Sequence, residues 1–498
     1  MSNQSNPQNV SRRDLLKVGA GIAVSAVGVH FLPRWAGPVL GPISVAEAAK
    51  LDAPLTPNVF RHLAASDGWI YLPGTVFVEG STTATWSPDS AARAPQTTYV
   101  FGFRDVTYLD PAGQPTPPTT DPRILAQKGH VQNAAPLLFF DELDNIQLTL
   151  TNLGFQFFPQ GDDSHTIHWH GFRNALPYFD GVPEVSIMVL PNRDFPYFYH
   201  PHDPGTYMYH CHFDDVEHVQ MGMTSVVFVR PAQNKTGAGG GPIARYNGGP
   251  ASAPLGYVYN DGVAPSSPLS TAYDREFVMF LNEMWAELHH NDAHKQPNDF
   301  SEYHADFYLL NGRMYPDTLE ANGGYTDGSG FHVFAPDPVT GYPVAPVGRP
   351  ELQYNPISSL VKCSAGERVL MRFVNLGYTQ GAMRLAGIPM HIVGKDATPL
   401  RGLTGFKPDG SAIRHGADIS YITDTVYIGA GESYDAIFTA PPFSGGSGSS
   451  GLGYDKYLLY NHAFSGLTTP GGPGLGGQMT EIRVQAAGTL APQTTPQT

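Results

Sequence analysis

The chain has 498 residues, of which 41% are hydrophobic and 15% charged, with a formal net charge of −15. That length supports two or three domains with cores of their own. The acidity excludes nucleic acid as a partner, because phosphate is repelled, and the 55 glycines and 45 prolines suit many short strands joined by turns.

Residues 1–48 read as a targeting segment. Ser11-Arg12-Arg13-Asp14-Leu15-Leu16-Lys17 has the form of a twin-arginine export motif, and an apolar stretch from Val18 to Leu32 follows it. Ala46-Glu47-Ala48 offers a small-x-small cleavage site. The apolar stretch is short and interrupted by glycine and Pro33, which argues against a membrane span. Export by the twin-arginine route to the periplasm or the exterior is therefore expected. Residues 49–96 read as an irregular N-terminal extension.

Residues 97–232 read as an all-β domain. Tyr99–Phe103 alternates as a strand does. Leu137–Phe140 and Ile146–Thr151 flank a polar turn, and Val185–Val189, Thr206–Tyr209 and Thr224–Val229 are further strand candidates. Residues 233–268, rich in Gly, Ala, Pro and Ser, read as a linker. A second β unit spans 269–487. It opens on Phe277–Leu281 and runs through Val361–Val374, Met390–Gly394, Thr425–Gly429, Ser433–Thr439 and Tyr457–Tyr460. The Pro/Thr/Gln-rich end, 488–498, reads as a disordered tail.

Two segments carry nearly all the chemical signal: His165-Thr-Ile-His168-Trp-His170-Gly171, and Tyr209-His210-Cys211-His212 followed by His218 and Met223. Alternate residues of a strand share a face, so His168 pairs with His170 and His210 with His212, while Cys211 faces the other way. Two such pairs on neighbouring strands gather four imidazoles, with Cys211 behind them. His165, His218 and Met223 can return to Cys211. A His, Cys, His set with a distant Met is a blue-copper ligand set. A zinc site is the competing assignment for one His-x-His pair, but not for six histidines with Cys and Met in this order. The chain's only other cysteine is Cys363, and the flanks of Cys211 argue against a disulfide between them. His200 and His202 read as turn or rim residues before Asp203-Pro204-Gly205; His391 and Cys363 read as structural.

The run Phe139–Asn145, the segment His165–Gly171, Pro204–His210 and the His210–Met223 signature together resemble the first domain of multicopper oxidases. Tyr308–Arg313, Gly366-Glu367-Arg368 and Arg372–Asn375 resemble a plastocyanin-like domain of the same family. The resemblance spans roughly 97–485. It implies two cupredoxin-like Greek-key β-sandwich domains. It implies a type 1 copper on His165, Cys211, His218 and Met223, and type 2 and type 3 coppers on His168, His170, His210 and His212. It further implies one-electron oxidation of a small-molecule or metal-ion reductant, coupled to reduction of dioxygen.

The chain departs from that family in three ways. Cys211 and His218 are seven apart, where the family's usual spacing is five. The signature lies in the first domain, as in two-domain oxidases and copper nitrite reductases, where sites form between subunits of a trimer. The second unit has Met383–Gly387 where an oxidase carries its histidine-rich strand. A homotrimer is expected, with His462 resembling the histidine that nitrite reductases donate to a neighbour's type 2 copper. The alternatives to the laccase-like oxidase are a nitrite reductase-like trimer and a blue-copper electron carrier.

Overall fold

The computed structural model describes residues 56–73, 97–109, 121–157, 163–173, 176–237, 239–324, 337, 342–407, 412–446, 451–470 and 474–497. The export motif at Arg12 and Arg13, and with it residues 1–48, lies outside the described residues. So do 49–55 and 74–96, most of the stretch read as an extension.

The first β-sandwich has two four-stranded sheets. One has the order β2 (Thr98–Asp105), β1 (Val59–Ile70), β4 (Ile146–Asn152), β6 (Arg193–Tyr199). The other has the order β3 (Leu138–Asp141), β8 (Thr224–Arg230), β7 (Gly205–His210), β5 (His168–His170). Their inward residues, among them Phe103, Leu148, Tyr197, Trp169 and Val227, form one buried core with Cys211 and Met223.

The second sandwich packs a larger sheet on a five-stranded one. The larger sheet runs through Arg275–Met284, Arg368–Asn375, Glu432–Thr439 and Met390–Lys395. The smaller runs Val361–Ser364, Met479–Gln485, Asp455–Asn461, Gly381–Leu385, Thr425–Ile428. Phe277, Met371, Phe373, Met383, Ile392 and Ile482 lie in the core between them. The fold is thus mostly β, with two cupredoxin-like sandwiches, as the turn-rich composition and short alternating runs predict. Among the described residues no helix is long and apolar enough to cross a membrane.

Four boundaries differ from the sequence reading. The first is β1, which lies within the stretch read as an extension. It is an inner strand, parallel to β4 and antiparallel to β2. With both edges paired and both faces covered, it buries Leu63, Ala64, Ala65 and Ile70 and so shows no alternation. The second is the stretch read as a linker. Its Leu255, Val258 and Tyr259 are buried against Leu370 and Ile437 of the second sandwich. The third is the tail. Gln493 and Gln497 are 3% and 2% exposed, and their side-chain oxygens accept from the Glu276 and Val278 amides. Polar composition hid a segment that satisfies the free face of a strand. The fourth is Val185–Val189, which is not a strand; within it only Val189 pairs, in a single bridge to His165.

Candidate copper centre

Antiparallel pairing of β5 with β7 sets His168 opposite His210 and His170 opposite Met208. The strand period then brings His168, His170 and His210 together, each offering a ring nitrogen within 4.8 Å of the others'. His212 follows just beyond the end of β7, its ring 5.1 Å from that of His168 and 5.4 Å from that of His210. The four imidazoles expected on one face are therefore adjacent, with three forming the tightest set.

Two of the rings are oriented from behind. His168 Nδ1 faces the Asp180 carbonyl at 2.7 Å, with the Asp180 carboxylate at 3.6 Å. His210 Nδ1 faces the Cys211 carbonyl at 2.8 Å. A ring that donates from Nδ1 is left with a bare Nε2, the form in which imidazole binds a metal. Burial favours the neutral form of His168, His170 and His210. His210 is pushed down to about 3, and His168 and His170 are lowered by the same cause, with neighbouring imidazoles adding to it.

The second sandwich closes on this group. A Cβ at Gly431 would stand 3.2 Å from His170 Nε2, and the Asp396 carboxylate is close enough to oppose the fall in His170's pKa. Neither Asp180, Gly431 nor Asp396 was expected from the sequence. Asp180 sits in an ordinary turn motif, and the other two lie more than two hundred residues from His170, the ring they approach.

On the opposite face of the Cys211 backbone is a second group. His165, Cys211 and His218 are each no more than 1% exposed, and their ligand atoms lie within 4.8 Å of one another. Both imidazoles present Nδ1 to the sulfur, His218 at 3.3 Å and His165 at 3.9 Å. The Thr166 amide donates to Sγ at 3.4 Å. The seven-residue spacing is taken up by the short helix Asp215–Met221, entered through Asp214 at φ 46 and closed by Gly222. That turn carries His218 back to the thiol.

The backbone of Met223 is tied to both neighbours. The Cys211 amide donates to the Met223 carbonyl at 3.0 Å, and the Met223 amide to the His218 carbonyl at 2.9 Å. Phe101 stands edge-on to His218 and stacks on Phe155, which in turn lies against His165. The pocket is dry. In it the thiol is pushed up to about 12 and His218 down to about 3 by burial.

A buried soft sulfur and two neutral imidazoles converging from three directions fit a copper ion. A thiol raised so far by burial needs a cation to become a thiolate. The nearby imidazole group, with nitrogen donors alone, fits a harder copper.

The remaining candidates fall elsewhere. Cys211 and Cys363 are both free and buried. His200 Nδ1 faces the Asp144 carbonyl at 3.1 Å, and its ring stands edge-on to that of His202, apart from both copper-ligand groups. His391 Nε2 is 2.7 Å from Ser420 Oγ. His462 ends the strand Asp455–Asn461 and is exposed. In its neighbour Gly381–Leu385 Met383 and Leu385 are fully buried, so the stretch expected to lack ligands packs in the core.

Two cupredoxin-like sandwiches thus carry one sulfur-and-imidazole group and one all-imidazole group, both of a kind that binds copper. Residues 131–234, which contain every candidate ligand except His462, match the model of the multicopper oxidase family. The chain is similar to Laccase 1 of Metarhizium guizhouense, 30% identical over 108 residues, covering 21% of this chain and 16% of that protein. It is also similar to Multicopper oxidase VdtB of Byssochlamys spectabilis, 33% identical over 87 residues, covering 17% of this chain and 12% of that one. The chain thus spans under a fifth of the length of either relative. A blue copper oxidase from Nitrosomonas europaea aligns with a TM-score of 0.49 at 18% identity, covering 85% of each chain.

Proposed function

We propose that the protein is a copper oxidoreductase of the laccase kind. It oxidises a small-molecule or metal-ion reductant one electron at a time beside Cys211 and reduces dioxygen at the imidazole site. The observation that carries this is the position of Cys211. Its sulfur sits 3.3 Å from His218 Nδ1, while the residues bonded to it on either side, His210 and His212, turn to the other face. Copper when bound supplies single-electron chemistry at both places. The chain's part is to hold His165, Cys211, His218 and Met223 in a buried pocket, to hold His168, His170 and His210 neutral with His212 beside them, and to join the two groups through two covalent neighbours. Asp180 fixes the tautomer of His168.

The first sandwich supplies four imidazoles to the second group, and the exposed His462, whose amide bonds the Ala382 carbonyl and whose ring lies over Tyr460, resembles the histidine that nitrite reductases donate to a neighbour's copper. We therefore infer a homotrimer, in which a neighbouring copy completes the site. Residues 1–48 act as a twin-arginine leader in this reading, delivering the folded protein to the periplasm or the exterior.

The test is copper per chain, absorption, EPR and oxygen uptake on one reconstituted sample, with its mass in solution. About four coppers per chain with oxygen consumption supports the oxidase. Copper-loaded protein that takes up no oxygen with any reductant overturns it. A monomeric mass overturns the trimer.

A further inference from the structure

A cavity of about 730 Å³ opens where the two sandwiches and the 233–268 segment meet. None of the candidate copper ligands lines it. Its walls include the apolar faces of Leu143, Tyr207, Tyr259, Val393 and Leu400. A concave, mainly apolar space of this size at a domain seam is the usual form of a small-molecule site.

The charged groups around it decide what it would hold. Glu142 accepts from Lys407 at 3.0 Å, from the Ala232 amide at 2.8 Å and from Asn260 at 2.6 Å. Asp203 is taken by Arg173 at 2.6 Å. Asp261 accepts from Gln233, from the Val263 amide, and from both the amide and the hydroxyl of Thr271. Asp396 accepts from the Ser433 amide, and Asp418 from the amide and hydroxyl of Ser420. Each wall carboxylate therefore already has protein donors, and none is left waiting for a cation. Among the cations, Lys407 and Arg173 are spent on those carboxylates, and Arg401 on the Gly416 carbonyl at 2.9 Å.

Arg414 differs from the rest. It lines the cavity and is half-buried. Among the described residues its guanidinium has no hydrogen-bond or ion-pair partner. A charge drawn out of water without a partner is costly, and folded proteins rarely leave one so. The guanidinium's planar fork matches a carboxylate in two parallel hydrogen bonds. We propose that this cavity binds a small organic acid, its carboxylate on Arg414 and its apolar body against Tyr207, Tyr259 and Val393.

The experiment is calorimetric titration of the copper-loaded protein with benzoate, with benzylamine as the same ring bearing the opposite charge. The same titration on metal-free protein keeps the result independent of the oxidase reading. Benzoate is expected to bind saturably, one per chain, with Kd below about 1 mM. Arg414→Gln should weaken it at least tenfold, and Arg414→Lys should restore part of the affinity. Leu143→Trp, at an exposed rim position, should weaken it with the charge intact. Unchanged circular dichroism verifies the fold of each variant. No saturable benzoate binding, equal binding of benzylamine, or an Arg414→Gln protein that binds as the parent does overturns the proposal.

Discussion

Thr206, on β7 of the first sandwich, donates a 2.6 Å hydrogen bond to Asp435 of the second. The same hydroxyl accepts from Arg372 at 2.7 Å, and Arg372 also holds Asp435 at 3.0 Å and Glu276 at 2.6 Å. Arg372 and Glu276 are completely buried and Asp435 is 1% exposed. The network therefore bolts the strand that ends in His210 to the second sandwich.

Removing the cation should be the costliest single change at this seam. Arg372→Met leaves two carboxylates buried without their counter-charge, a loss of about 3–5 kcal/mol. Thr206→Val leaves the ion pairs and removes one shared hydroxyl, for about 1–3 kcal/mol. Urea unfolding of the two variants measures the order. If Thr206→Val is the more damaging, the seam is held by packing and not by these charges.

The orientation of His168 depends on a glycine that no histidine motif signals. Gly181 has φ +84, and a Cβ there would stand 2.1 Å from the Ile167 carbonyl oxygen and 2.8 Å from the His168 amide. Gly181→Ala must push the Asp180 turn off β5 and release His168 Nδ1. Copper bound by the imidazole group should fall, while the blue absorption from the Cys211 site persists. Equal loss at both sites would mean that the turn supports the whole domain and not His168 in particular.

What could be read from the sequence follows from period and spacing. His-x-His on a strand, an intervening Cys and a trailing His and Met fix their own faces, so both clusters were legible before any fold was known. Residues that act across the seam were not. Asp396, Gly431 and Thr206 carry no motif, and only tertiary contact gives them a role. β1 escaped for a different reason. Its residues Val59–Ile70 are paired on both edges and covered on both faces, so the alternation that marks a half-exposed strand is missing. Gln493 and Gln497 were hidden by composition, since a Pro/Thr/Gln-rich stretch reads as unfolded unless its amides meet a strand.

That last point has a direct test. Gln493 and Gln497 accept from the Glu276 and Val278 amides at 2.7 and 2.6 Å. Truncation after Gly488 leaves those two buried amides without partners. Each unmet donor costs about 1–3 kcal/mol, so the truncated protein should unfold at distinctly lower urea. A disordered tail would leave the midpoint where it was.

The metal-free protein should be sensitive to acid in a defined window. In the fold His210 and His218 are pushed down to about 3, and His289 to about 4, all by burial. In the unfolded chain such groups take protons near 6.5. Between those limits the unfolded state binds more protons, so stability falls as pH drops below 6.5 and is recovered as pH rises through it. Each histidine contributes a slope of about 1.4 kcal/mol per pH unit. His289 separates this effect from the copper ligands. Its Nδ1 faces the Tyr99 carbonyl at 2.6 Å, a contact that a glutamine amide can imitate without titrating. His289→Gln should therefore flatten the decline between pH 6 and pH 5 by about one proton's worth, 1.4 kcal/mol per unit. Unfolding curves at those two pH values, on metal-free parent and variant, give the difference. Parallel curves would mean that His289 titrates alike in both states and that the acid sensitivity lies wholly in the copper site.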